Sequence, residues 1–225
     1  MGSTRHRMIA SGMAGYATDG LILFLDGIDN TGNGHNSSAT TWVDISGNGH
    51  DYSIGTNTFG DDHLVCGSKG LQTSSALPST YAYMELVIEN SGLETTTMFI
   101  IPSGNAYCSF IAHSTKMMAP NNTYGSYPRV DLSDIFTDKI QLSWPKEYQS
   151  NGTYNKFYLN GQQEPTSNAS GGNWAHTHLD YLFCYNSLTD NVYKGKVYAV
   201  RVYDRVITEA ERIANYNMDK ARFNL

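Results

Sequence analysis

Short apolar runs, each broken off by a Gly- or Asn-rich turn, restrict the fold of this chain more than any other feature. The clearest run is Lys194-Gly195-Lys196-Val197-Tyr198-Ala199-Val200-Arg201-Val202-Tyr203. Its alternation predicts a strand with Tyr198, Val200 and Val202 on one face. Arg201 falls on the other face, which is expected to reach solvent in part. Comparable runs occur at 21–25, 83–88, 98–101, 107–113, 139–144, 156–159 and 180–185. Ser46-Gly47-Asn48-Gly49, Asn151-Gly152, Asn160-Gly161 and Ser170-Gly171-Gly172 supply turn chemistry between them. Charged residues are only 16% of the chain while Tyr occurs 16 times. That balance suits pleated surfaces joined by turns and suits a helical bundle poorly. The expected class is therefore all-β.

One segment has helical punctuation. Thr208-Glu209-Ala210-Glu211 forms a capping box, in which the Thr208 hydroxyl accepts from the Glu211 amide and Glu211 reaches back. Ile213, Ala214, Tyr216 and Asn217 follow, and the spacing predicts a short amphipathic helix over 208–218. Residues 1–19 are small and mixed in character, with no continuous apolar core. They read as an arm and not as a signal peptide, which leaves the body at 20–225.

The formal charge of −6 gives no basic footprint for nucleic acid, and Arg5-His6-Arg7 is too short to make one. No apolar stretch approaches membrane-spanning length. Cys66, Cys108 and Cys184 are widely spaced and read as small hydrophobes, without a disulfide framework or a zinc site.

Several segments together match a family pattern: Gly20-Leu21-Ile22-Leu23-Phe24-Leu25-Asp26-Gly27, then Asp44-Ile45-Ser46-Gly47-Asn48-Gly49-His50-Asp51, and finally 193–211. Lys156-Phe157-Tyr158-Leu159-Asn160-Gly161 and Tyr181-Leu182-Phe183-Cys184 fall between them in the same order. The chain resembles a laminin-G-like domain of the concanavalin A-like lectin/glucanase superfamily over about residues 20 to 217. The resemblance implies a jelly-roll β-sandwich of two antiparallel sheets with a C-terminal helix, its first and last strands lying together. The ending Asn215-Tyr216-Asn217-Met218-Asp219-Lys220-Ala221-Arg222-Phe223 and the loop Asp26-Gly27-Ile28-Asp29-Asn30-Thr31-Gly32-Asn33-Gly34-His35 are similar to those of laminin-G-like proteins from tailed phages and prophages. That narrower likeness implies a virion surface protein, either a capsid decoration or a tail-associated adhesin. Its expected partners are other virion proteins through the N-terminal arm, further copies of itself as a homo-oligomer, and host or mucosal polysaccharide. A divergent glycoside hydrolase and a free-standing bacterial surface lectin are the alternatives.

Glucanases of the superfamily carry their acid and nucleophile as E-x-D-x-x-E or a near variant on one strand. Retaining chemistry needs those carboxylates roughly 5 Å apart. Here Glu85-Leu86-Val87-Ile88-Glu89 puts two carboxylates on one face with Val87 between them, so no catalytic residue is assigned. Both Glu are expected on a solvated sheet face. For calcium, which takes hard oxygen ligands, the candidates are Asp26, Asp29, Asp44 and Asp51; local capping of backbone amides is the competing role. For glycans, Trp174 with Asn173 and His176, and Tyr124 with Tyr127, offer loop aromatics beside polar groups. Loop packing and subunit contact are the other uses of such residues. Trp42 and Trp144 are expected in the core.

Overall fold

The computed structural model describes residues 13–75, 77–78, 81–90, 98–101, 109–113, 117–121, 130–131, 137–145, 156–164, 179–184, 188–189 and 192–225. Its strands in chain order are β1 (Leu21–Asp26), β2 (Thr41–Trp42), β3 (Tyr52–Ser53), β4 (Thr58–Phe59), β5 (Leu64–Cys66), β6 (Leu71–Thr73), β7 (Tyr83–Asn90) and β8 (Met98–Ile101). They continue with β9 (Ser109–His113), β10 (Met117–Asn121), β11 (Val130–Asp131), β12 (Lys139–Pro145), β13 (Tyr158–Leu159), β14 (Gln162–Gln163), β15 (Tyr181–Leu182) and β16 (Gly195–Tyr203), and one helix, α1 (Glu209–Phe223), closes the chain.

One layer is an eight-stranded antiparallel sheet, ordered β14-β13-β12-β7-β16-β5-β4, with β1 also on β16. β16 runs along β7 on one edge. Its other edge is shared by two short strands, β5 against 195–197 and β1 against 199–203. First and last strands are thus hydrogen-bonded neighbours, as the resemblance implies. The second layer contains the antiparallel order β15-β6-β3-β2, and β8 of a third set, β11-β10-β9-β8, lies beside β15. The fold is a lectin-like β-sandwich, all-β apart from its C-terminal helix.

Alternation sorts β7 cleanly. Met84, Leu86 and Ile88 face the inter-sheet core with Leu142, Trp144, Val200 and Val202, opposite Trp42, Tyr52, Leu71 and Leu182 of the second layer. Tyr83 and Val87 face the outer side with Phe24, Tyr203 and Phe223. Both expected core tryptophans are buried, as are Cys66 and Cys184. The Cys108 assignment lies outside the described residues.

Four sequence expectations need correction. Tyr198 does not share a face with Val200 and Val202, because a bulge between Val197 and Ala199 shifts the register. Tyr198 and Ala199 both join the outer cluster, since one extra residue reverses the alternation beyond it. Arg201 does not reach solvent; it is 0% exposed, because α1 and residues 13–17 cover that face. The helix runs to Phe223, not 218. Its buried stripe is Arg212, Asn215, Asp219 and Phe223, mostly polar, so an apolar pattern does not reveal its length. Finally, residues 13–19 are not part of an arm: Met13 and Tyr16 are buried in the outer cluster, so this stretch packs with the body.

The capping box forms as expected. Thr208 Oγ1 accepts from Glu211 N at 3.3 Å, and the Glu211 carboxylate accepts from Thr208 N at 2.8 Å. Bonds from Arg205 and Thr208 hold the Glu211 carboxyl down at about 2. Thr208→Ala is expected to cost about 1 kcal/mol, read as a fall in urea midpoint with an unchanged slope. A midpoint equal to wild type would mean that the cap does not limit the helix. No helix among the described residues is long and apolar enough to cross a membrane.

Candidate functional site

The loop after β1 is held by its own side chains. Asp26 ends the strand with 0% exposure. Its Oδ1 accepts from Ile28 N at 2.9 Å, and its Oδ2 lies 2.6 Å from Arg222 Nη2 of α1. Burial raises the Asp26 carboxyl above its ordinary range, against the pull of that guanidinium. Asp29 Oδ1 accepts from Gly34 N at 2.7 Å. Buried Asn30 grips Asn36 twice, accepting from its N–H at 2.7 Å and donating to its carbonyl at 2.9 Å. In the second turn, Asp44 Oδ1 accepts from Phe24 N and Ser46 N, and its Oδ2 accepts from His50 N. Asp51 Oδ1 in turn accepts from Asp44 N at 2.8 Å. The four calcium candidates therefore all act as caps on backbone amides, the competing role that such residues commonly take. Among the described residues no group of three or more His, Cys, Asp or Glu is gathered for a metal. Asn173, Trp174, His176, Tyr124 and Tyr127 lie outside the described residues.

The Glu85–Glu89 pair is placed differently from expectation. Glu85 is not solvated but 0% exposed, beneath α1. Its Oε2 accepts from Arg201 Nε at 2.8 Å and from Asn215 Nδ2 at 2.8 Å. The two nitrogens at the far end of the Arg201 guanidinium donate to the two oxygens of Asp219, forming a fork. Asp219 also accepts from Tyr16 and from Gln141 Nε2, both at 2.8 Å. Arg201 further lies over the rings of Tyr16, at 4.6 Å, and Phe24, at 5.4 Å. The sequence brings these groups together because Arg201 sits opposite Glu85 across the β16–β7 ladder, while Asn215 and Asp219 are one helical turn apart.

A raised carboxyl pKa is what a general acid needs, and burial does raise Glu85, despite the opposing pull of Arg201. Its surroundings, however, are protein on every described side. Glu89 lies on the same strand face toward the open end of the sheet. There it accepts from Lys196 Nζ at 2.6 Å and Tyr198 Oη at 2.7 Å, and its carboxyl lies below the usual range. Burial raises it, and the two hydrogen bonds together with the lysine charges outweigh that effect. The two glutamates thus have separate partners. Sequence reasoning did not single out Asn215, Asp219 and Arg222 as a network, although all three belong to the ending quoted for the phage-type likeness.

Solved structures place the fold. A mutant of Trypanosoma rangeli sialidase displaying trans-sialidase activity superposes with a TM-score of 0.63 at 12% identity, over 97% of this chain and 37% of that one. Trypanosoma rangeli sialidase in complex with the inhibitor DANA gives 0.59 at 13% identity, over 89% and 33%. An HCR/D mutant gives 0.59 at 13% identity, over 90% and 52%. The chain spans between a third and about half of the length of these chains. At such identities the likeness establishes the fold alone, a β-sandwich. No protein-family model and no curated protein sequence matches the chain.

Proposed function

We propose that this chain is a non-enzymatic, glycan-binding β-sandwich displayed on a tailed-phage particle, as a capsid decoration or a tail-associated protein. The observation that carries the reading is the position of Glu85. The sequence offers one strand-borne carboxylate pair for hydrolysis, and its first member is sealed under α1 and paired to Arg201. A lectin-like sandwich whose strand-borne carboxylate pair is closed in this way suits binding better than bond cleavage. The particle assignment rests on the likeness of the two chain ends to phage laminin-G-like proteins. In the fold those ends touch, through Asp26 and Arg222. The assembly contacts assigned to the N-terminal arm then fall to residues before Met13, and a homo-oligomer is part of the same reading.

Two measurements test this reading. Mass spectrometry of purified particles is expected to detect the chain at structural copy number; its absence from particles overturns the virion role. Incubation with β-glucans and host polysaccharides is expected to release no reducing ends. Sustained release that is lost in Glu85→Gln, while that variant keeps the wild-type Tm, would establish the hydrolase instead.

A further inference from the structure

Helix α1 is docked by hydrogen bonds more than by apolar contact. Of the residues it buries, Phe223 is apolar, while Arg212, Asn215 and Asp219 are polar or charged. The pairing beneath it is uneven. Each oxygen of Asp219 receives two donors: Oδ1 from Tyr16 Oη and Arg201 Nη1, Oδ2 from Gln141 Nε2 and Arg201 Nη2. Glu85 receives two donors on Oε2 and none on Oε1 among the described residues. Gln141 Oε1 is likewise without a donor among them. Both residues are 0% exposed, and an acceptor left unpaired in such a place is costly.

The two orphaned oxygens belong to neighbouring strands. Gln141 pairs with Val87 across the β12–β7 ladder, one diagonal step from Glu85 on the same face and within reach of side chains of this length. As acceptors they cannot serve each other. Turning the Gln141 amide over would offer Glu85 a donor but withdraw it from Asp219. A single proton on Glu85 satisfies both oxygens. It also balances the charge, because one guanidinium stands between two carboxylates.

We propose that α1 is held by a proton latch: a proton taken up on Glu85 Oε1 donates to Gln141 Oε1 and closes the helix onto the sheet, and its release to solvent at higher pH loosens the helix. Glu85 faces Arg201 and Tyr203 from β16, Tyr83 from β7 and Asp219 from α1, with Tyr16 beyond. β12 presents the neutral Gln141 and Ser143. Further out, Arg212 lies over Tyr158 and Arg222 pairs with Asp26. Burial raises Tyr16, Tyr83 and Tyr203, so they keep their protons as pH falls. Burial raises Glu85 too, over the pull of Arg201, whereas lifting α1 returns it toward the ordinary glutamate value of about 4.3. Closing therefore takes up a proton and opening gives it back. Between the open and closed values the opening constant rises about tenfold per pH unit, and above the closed value it levels off.

Two measurements on the full chain test the latch. In a sample labelled with carbon-13 glutamate, the Glu85 carboxyl signal is expected to titrate above the ordinary range. Titration within that range means that Oε1 is served in another way, and overturns the latch. Amide exchange in α1, corrected for its intrinsic pH dependence, is expected to show the tenfold rise in the wild type. Glu85→Gln places a permanent donor where the proton would sit, so opening is expected to lose that rise while Asp26 and Arg222 stay the same in both chains. An equal rise in Glu85→Gln assigns it to another group and overturns the proposal. Equal protection of α1 and β7 amides at every pH overturns a helix that opens by itself. Should the variant fail to fold, the carboxyl titration of the wild type decides alone.

Discussion

Arg201→Ala is expected to lower the unfolding free energy by about 3–5 kcal/mol, the cost of leaving buried charge without its partner. Glu85 and Asp219 are both 0% exposed, and Arg201 is the cation that bridges them. Without it, two carboxylates remain in a dry site with only neutral donors from Asn215, Tyr16 and Gln141. In a domain of this size the loss amounts to roughly 6–20 °C in Tm. Arg201→Lys is expected to recover only a part, because an ammonium cannot reproduce the fork to Asp219 while also reaching Glu85. Combining Arg201→Met with Glu85→Gln and Asp219→Asn is expected to be less damaging than Arg201→Ala alone, since no charge is then orphaned. Urea unfolding at neutral pH measures all three. A loss below about 1 kcal/mol for Arg201→Ala would refute this clasp of Glu85, Arg201 and Asp219 as the element that docks the helix.

The pH dependence has a defined sign. Burial holds Glu85 above its ordinary range, so the folded chain binds that proton before the unfolded chain does. At this group acidification therefore favours the folded state, and the contribution is lost as pH rises through the folded pKa. The deficit of Arg201→Ala is expected to narrow as pH falls and the Glu85 carboxylate becomes neutral.

Gly27→Ala is the second large effect. A Cβ at Gly27 would stand 2.2 Å from the Asp62 carbonyl oxygen and 2.9 Å from His63 Cα. These are backbone atoms, so no side chain can swing aside, and the end of β1 would have to part from residues 62–63. The expected cost is about 3 kcal/mol or more. Gly34→Ala, in the same loop, is the control. Nothing lies within 4 Å of its Cβ, and only its φ of 106° is strained, which costs about 1–2 kcal/mol. Equal Tm values for the two variants would contradict the close approach at Gly27.

The features legible in the sequence are those with a local cause. The 21–25 strand, the Thr208 capping box and the Asn160-Gly161 hairpin each depend on neighbours a few residues away. Both turn residues of that hairpin take positive φ, 50° and 73°, as a two-residue turn requires. The clasp was not legible, because alternation reads a polar residue on a strand as facing water. Glu85 and Arg201 break that reading only because Asn215 and Asp219 arrive from a distant helix to complete them. The bulge at 198–199 has no local signal, since Tyr198 and Ala199 fit either face. Helix length was missed for a related reason: its buried stripe consists of hydrogen-bonding groups. Among the candidate site residues, Asp26, Asp29, Asp44 and Asp51 were legible as turn aspartates with capping as one of two roles; the particular amides were not, because Asp44 reaches Phe24 N, 20 residues away.

The position of β16 also bears on the order in which the domain forms. It is the strand to which β1, β5 and β7 all attach, and it is the last to be synthesised among the described strands. Until residues 195–203 leave the ribosome, Leu21–Asp26 has no ladder to join, and the β7–β12 pair carries a bare edge of Val, Leu and Ile. Such distant pairing makes folding slow and leaves sticky edges open meanwhile. Each nascent copy thus passes through a vulnerable interval that ends only when its C-terminal region is delivered.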